Sequence, residues 1–353
     1  MPHDRLTCVV PTHNRPHFLR RLLHFYTQFP PGFPFEIVDS SNPAAAAENI
    51  SVVNGVRGGL QVNYRHFDLD AMEKCVEGLQ SLSSPFTVFC ADDDLLFPDA
   101  VWRCVEFLDN EPGYGSAIGR NADLSVVSPH WPCLVYQGYS IEDDRPFDRC
   151  IRLADYWFTN FYAVYRTESL RDTFQTAALN TDSRSTPHLT ELLLSQLSVL
   201  RGRLKVLPLM YSLTEDHGKN NSRVTRTGVQ PEAELLYQRF KRCFTEQLEQ
   251  TGAVRADAER FIDDSYGFYR DPNVVGRRRR RSTVEQMRRL VRKTTDLTLG
   301  TLWTNYSGRS AIKRLLRASD YAECGPILQT AIQLVRDFPH GIPADLTLLK
   351  RGA

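Results

Sequence analysis

No apolar run in the 353-residue sequence approaches the ~18 residues that a membrane-spanning helix needs, so no span is expected. The N-terminal stretch MPHDRLTCVVPTHNR lacks the basic-then-apolar order of a secretory leader, which makes the cytosol the expected compartment. Charge of one sign is missing too. Lys and Arg total 43 and Asp and Glu 42, a net charge of +1, so nothing global argues for a nucleic-acid partner. The eight cysteines form no CxxC pair, which excludes a recognisable zinc site or a disulfide framework. No internal repeat is visible, and the only low-complexity segment is the run Arg277 to Arg281.

What is present is the composition of a soluble globular protein, 42% hydrophobic and 24% charged, with enough apolar residues for a sizeable core. The length suits one large α/β domain plus an appendage, or two domains. Through the first ~130 residues short apolar runs alternate with helix-like segments, the pattern of an α/β sheet. Strands are expected at 6–11, 35–41, 61–67, 86–91 and 115–127, and helices at 16–29, 70–82 and 98–112. Pro16 and Pro98 suit first-turn helix positions. Residues 157–174 are aromatic-rich and read as a strand entering a short helix; 186–202 read as a helix with a leucine face, and 203–222 as a bent strand or strand pair leaving into a polar loop. After about residue 230 helical spacing dominates, at 232–250, 256–269, 284–295 and 326–338. The division that follows is 1–228 for an α/β unit and 229–353 for a helical C-terminal region.

Four polar clusters follow apolar runs: PTHNR (11–15), DSS (39–41), DDD (92–94) and EDH (215–217). Open α/β sheets bind ligands beyond the carboxyl ends of their strands, so these clusters lie where a site would be, although polar residues after strands are also ordinary turns. The three aspartates stand out. Carboxylates this close repel, and Mg²⁺ or Mn²⁺ would relieve the repulsion. An Asp-rich turn leading into the helix at Pro98 accounts for them equally.

Taken together, VVPTHNRPHFLRRLL, IVDSS and FCADDD resemble the nucleotide-binding half of an inverting nucleotide-sugar glycosyltransferase of family two, in a bacterial subfamily with DSS in place of the commoner DDGS. The resemblance is clear over 5–127, weaker over 150–225, and does not reach the C-terminal helices. It implies a GT-A-like, Rossmann-type α/β fold with a mixed, mostly parallel sheet flanked by helices. It further implies that Pro11, Thr12, His13, Asn14 and Arg15 hold the base and ribose of a nucleoside diphosphate sugar, UDP being the superfamily's commonest nucleotide. Asp39, followed by Ser40, would meet the base, and Lys74 the nucleotide; the alternative for Lys74 is an exposed helix lysine. Asp92 would meet the ribose and Asp94 the Mn²⁺ or Mg²⁺ ion, with Asp93 a spacer in the donor loop and the aspartate expected to tolerate change best. The ion would stabilise the leaving diphosphate.

Inverting transfer needs a base for the acceptor hydroxyl. The resemblance places it near the start of a second-half helix, where Glu191 lies off the Leu189/Leu193/Leu197 face, as a solvated residue also would; Asp182 is the reserve. His217 is a candidate metal or diphosphate ligand, or a plain loop histidine. Lys219 and Arg223 could bind phosphate in a lid-like loop. Trp157, Phe158, Phe161 and Tyr162 suit core packing more than an acceptor platform. Arg277–Arg281 reads first as a solvated linker and second as a contact with anionic lipid, which would suit a lipid-linked or glycan acceptor. The C-terminal helices are open to acceptor binding, membrane docking or homodimerisation. Two other functions stay open: a degenerate transferase that only binds nucleotide or glycan, and a nucleotidyltransferase-like enzyme. The latter predicts a Gly-rich phosphate loop with a Lys near the N-terminus, and PTHNRPH offers none.

Overall fold

The computed structural model describes residues 4–126, 133–136, 138–155, 157–217, 233–269 and 325–344. The Arg277–Arg281 run, the helix expected at 284–295, Lys219 and Arg223 lie outside them.

The first strand, β1 (Leu6–Thr12), runs through the core with Leu6, Cys8, Val9 and Val10 fully buried. β2 (Phe35–Asp39), β3 (Val62–His66) and β4 (Phe86–Phe89) flank it in the order β3-β2-β1-β4, all parallel. Because they are parallel, their carboxyl ends share one edge of the sheet. Thr12 is level with Asp39, and Val9 with Phe89, so PTHNR, DSS and DDD emerge side by side. β5 (Leu95–Leu96), β6 (Tyr114–Ser125), β7 (Cys133–Tyr136), β8 (Val164–Arg166) and β9 (Arg203–Asp216) continue the sheet as β4-β8-β6-β9-β5, with β7 on β6. This half is mixed: β6 and β9 are parallel, and the other junctions antiparallel. The expected mixed α/β sheet is thus present, with its parallel pairing concentrated where the polar clusters emerge.

Helices cover the sheet. α1 (Pro16–Gln28) buries Phe18, Leu19, Leu22, Leu23, Phe25 and Tyr26, each contributing ~1.5–3 kcal/mol of apolar burial. α2 (Pro43–Val56) falls in a stretch for which the sequence suggested no element. Its alanines make no strong stripe, and only Ala46, Asn49, Val52 and Val53 are buried. The start signal was nonetheless there: Asn42 caps the helix by accepting from the Ala45 amide at 3.0 Å, and Pro43 opens the first turn. α3 (Ala71–Gln80) begins with a capping box between Asp70 and Glu73. α4 (Pro98–Asn110), α5 (Pro146–Asp155), α6 (Thr167–Asn180) and α7 (Pro187–Arg201) follow.

α7 carries Glu191 near its N-terminus, and its other end is held by Arg149 of α5. That buried guanidinium donates to the carbonyls of Val199 (2.6 Å) and Leu200 (2.9 Å), and to those of Asp143 and Asp144 (3.0 Å each). A cation at the helix C-terminus also meets the negative end of its dipole. Arg149→Ala is expected to cost about 2–4 kcal/mol in urea unfolding, because it strands four carbonyls at once.

The later helices pack onto this α/β body. α8 (Ala233–Glu249) lies on α6 and α7, and α9 (Arg255–Tyr266) on α8. α10 (Gly325–Asp337) lies on α1 and β9. Among the described residues no helix is long and apolar enough to cross a membrane. The six cysteines with described side chains are buried, free thiols.

Candidate donor and acid site

The loop after β1 turns sharply at Asn14, whose φ of 55° is left-handed, a conformation asparagine tolerates better than most residues. The turn is pinned on both sides: the Asn14 amide donates to Ser41 Oγ (2.7 Å), and Asn14 Oδ1 accepts from the Asn42 amide (2.8 Å). His13, exposed, reaches the Ser40 carbonyl through Nδ1 at 2.7 Å. The first two loops are therefore one unit.

Asp39 is the anchor of that unit. Its side chain is fully buried and accepts the Ser41 amide (2.7 Å) and hydroxyl (2.5 Å), Asn49 Nδ2 (2.9 Å) and the Tyr64 hydroxyl (2.5 Å). Burial opposes its charge, but the bonds from Ser41, Tyr64 and Asn49 outweigh it and hold the carboxyl below its usual range. Lys74, read as an exposed helix lysine in one alternative, is buried. Its Nζ donates to the Thr12 carbonyl (2.5 Å) and to Ser40 Oγ (3.0 Å), tying α3 to both loops. Burial lowers its pKa, partly countered by nearby negative charge that includes Asp39 and Asp92.

The three aspartates have separate environments. Asp92 is buried, accepts the Thr12 hydroxyl (2.7 Å) and is paired with Arg15. Burial pushes its carboxyl up to about 6, against the pull of Arg15. Asp93 is no idle spacer. Its Oδ2 accepts from Arg15 (2.9 Å) and lies 2.9 Å from His217 Nε2. Burial works against ionisation here too, but His217 and Arg15 prevail and bring the carboxyl down to about 2. Asp94 turns the other way, accepting the Tyr162 hydroxyl (2.6 Å) and the Glu215 amide (3.0 Å). Burial, together with the Asp93 charge, raises its pKa well above the usual value. Arg15, shared by Asp92 and Asp93, is held in its charged form by them despite its own desolvation.

Asp94 and His217, expected to share a metal ion, therefore have different partners. The chemistry of the donor set suits a hard divalent ion, but its placement does not. Asp92 and Asp93 are engaged by Arg15, Asp93 also by His217, and Asp94 by Tyr162. Among the described residues no three His, Cys, Asp or Glu side chains are grouped to hold an ion. As placed, Asp92 and Asp93 are compensated by Arg15 and Asp94 is held by neutral donors, an arrangement that does not fit a metal centre.

Glu191 sits in the second turn of α7, partly buried. Burial raises its carboxyl above the usual value, against a hydrogen bond from the Thr159 side chain. Thr159 and Tyr162 belong to the same segment, so the stretch that touches Glu191 also touches Asp94. Asp182, the reserve candidate, accepts from the amides of Arg184 and Ser185 and from the Ser185 hydroxyl, which makes it the organiser of its own turn.

Several members of this site were not singled out from the sequence. Ser41, Asn49 and Tyr64 hold Asp39. Arg21 of α1 is fully buried and ion-paired at 2.5 Å with Glu215, which is itself fully buried and pushed by desolvation up to about 7 despite that partner. Phe18 is stacked on His217 (5.3 Å between ring centroids), with the Arg15 and Arg21 guanidiniums each 5.1 Å from its ring. For Ser41 and Glu215 there was a signal, since both sit in the polar clusters at strand ends. For Arg21 there was none, because RRLL is what any amphipathic helix shows.

No protein-family model matches the chain, and no curated protein does. Solved structures do. The chain is similar to S. aureus TarS 1-349, with a TM-score of 0.52, 14% identity and coverage of 76% of this chain and 72% of that one. It is similar to the same protein in complex with UDP-GlcNAc, at TM-score 0.55, and in complex with UDP, at 0.53. Both of these comparisons have 15% identity and cover 80% of this chain and 77% of the other. At such identities the likeness concerns architecture: this chain shares the GT-A-like, mixed α/β fold of that protein.

Proposed function

We propose that this chain is an inverting glycosyltransferase of the family-two type that moves a sugar from a nucleoside diphosphate donor, UDP-linked by preference, to a hydroxyl of a glycan or lipid-linked acceptor. The observation that carries the reading is the convergence of Thr12, Arg15, Lys74 and Asp92–Asp94 at one edge of the parallel strands. The fold bearing this edge is shared with a protein whose structures contain UDP-GlcNAc and UDP.

In this reading the loop from Pro11 to Arg15 and the loop at Asp39–Ser40 cradle the nucleoside. Asp39 shapes the cradle from below, because its oxygens are already occupied. Asp92, expected to meet the ribose, instead has its two oxygens held by Thr12 and Arg15, and it orients their loop around the nucleoside. The acceptor oxygen attacks the anomeric carbon as the bond from that carbon to the diphosphate oxygen breaks. The electron pair leaves with the diphosphate, and the acceptor proton passes to the Glu191 carboxylate. A partly buried carboxylate with a raised pKa is the better base for this step. The transfer proceeds in this reading without the metal expected from the sequence, because Asp92 is held by Thr12 and Arg15, Asp93 by Arg15 and His217, and Asp94 by Tyr162 and the Glu215 amide.

Thermal shift against a panel of nucleoside diphosphates and their sugars tests the reading. Saturating UDP is expected to raise the melting temperature by about 3 °C or more. If no nucleoside diphosphate in the panel moves it, the proposal is wrong. Lys74→Met, which unties α3 from both loops, is expected to weaken UDP binding about tenfold in calorimetry.

A further inference from the structure

The C-terminal segment returns to the acid site. After α10 the chain runs along α1. The Ile342 amide donates to the His17 carbonyl (2.9 Å), and Arg20 donates to the Ile342 carbonyl (2.6 Å). Gly341 lets the two backbones meet. Its φ is +80°, and a Cβ there would lie 2.4 Å from the His17 carbonyl carbon and 2.7 Å from the Phe18 amide nitrogen. No side chain fits without moving backbone.

Arg21 then joins this strap to the aspartates. One terminal nitrogen donates to the Phe338 carbonyl (2.9 Å) and the other to the Asp93 carbonyl (2.8 Å), while the guanidinium pairs with Glu215. Strap, acid loop and the end of β9 thus meet on a single side chain that has no exposure to solvent. A planar fork can hold three partners at fixed angles, and an ammonium cannot.

We propose that Arg21 is a positioning residue of the donor site, through which the C-terminal strap at 338–342 sets the backbone of the acid loop and hence the placement of Asp92 and Asp93. The segment farthest along the described chain is then a wall of the site built by the first strands. The proposal rests on the functional reading only for what the site binds; the mechanical link between strap and acid loop stands apart from it.

The test uses the full-length chain and two variants, Gly341→Ala, which displaces the strap without touching Arg21, and Arg21→Lys, which keeps the charge and loses the fork. Hydrogen exchange by mass spectrometry reads the peptide spanning 90–97, with the peptide spanning 62–66 as internal reference. Both variants are expected to speed exchange at 90–97 about tenfold or more and to leave 62–66 unchanged. UDP affinity, by calorimetry, is expected to fall about tenfold in Arg21→Lys and less in Gly341→Ala. Unchanged exchange at 90–97 in a folded Gly341→Ala protein overturns the link. Should that variant not fold, unchanged exchange at 90–97 in Arg21→Lys overturns it equally. If wild-type protein binds no UDP, the functional reading fails while the exchange result still decides this one.

Discussion

Glu191→Gln is expected to lower kcat about a thousandfold while leaving UDP affinity within about twofold of wild type. The amide keeps the size of the side chain and its bond to Thr159 but cannot take a proton. Its hydrogen bond is with Thr159 and not with the loops after β1 and β2, which makes it separable from nucleotide binding. The pH profile adds a second signature. A base works only when ionised, and burial holds Glu191 above the ordinary glutamate value of 4.5. The wild-type rate is therefore expected to rise with pH through a limb centred above that value, and the limb should be missing from the residual activity of the Gln variant. If the variant keeps both rate and limb, the proton goes elsewhere.

Arg15→Ala should have the other large effect. It leaves Asp92 and Asp93 buried without their shared cation. Removing one partner of a fully buried ion pair costs about 3–5 kcal/mol, and one-third exposure of the Arg15 side chain brings the expected loss to about 2–4 kcal/mol. The sign with pH is fixed by Asp92. Its folded pKa, about 6, already lies above the ordinary 3.8, and without Arg15 it moves higher. A carboxyl whose folded pKa exceeds its unfolded value loses stability as pH rises through that window. Urea unfolding should accordingly show a larger penalty for Arg15→Ala at pH 8 than at pH 5. A penalty that is equal at the two, or larger at pH 5, would mean that Asp92 is not the group left uncompensated. UDP binding by the same variant is expected to fall at least about tenfold.

How far these residues could be read in advance follows from how local their signals are. The ends of β1, β2 and β4 were legible because each is an apolar run that stops at a polar cluster, and parallel pairing brings such ends together. Lys74 and Glu191 could be named as candidates, yet the sequence could not decide between a working group and a solvated one. That decision depends on burial by segments far along the chain, as when Thr159 meets Glu191. α2 went unseen because its buried face, Ala46, Asn49, Val52 and Val53, makes no strong apolar stripe, and with it went Asn49, which supplies one of the four hydrogen bonds to Asp39. The aspartates show the limit most sharply. Their spacing suggested two working carboxylates and a spacer, but Asp93 is the one that meets both Arg15 and His217, and the His217 contact spans 124 residues. Tyr162 looked like core aromatic material and is partly that, its ring set edge-on to Phe161, while its hydroxyl settles the direction of Asp94.

The measurement that bears most directly on the proposed activity is release of UDP from UDP-sugar donors, compared between wild-type protein and Glu191→Gln at equal donor saturation. Steady release by the wild type from at least one donor is expected, and about a thousandfold less by the variant. A wild-type chain that binds such donors but releases no UDP from any of them, in the presence of glycan and lipid-linked acceptors, would contradict it and mark the chain as a binding protein on a transferase fold.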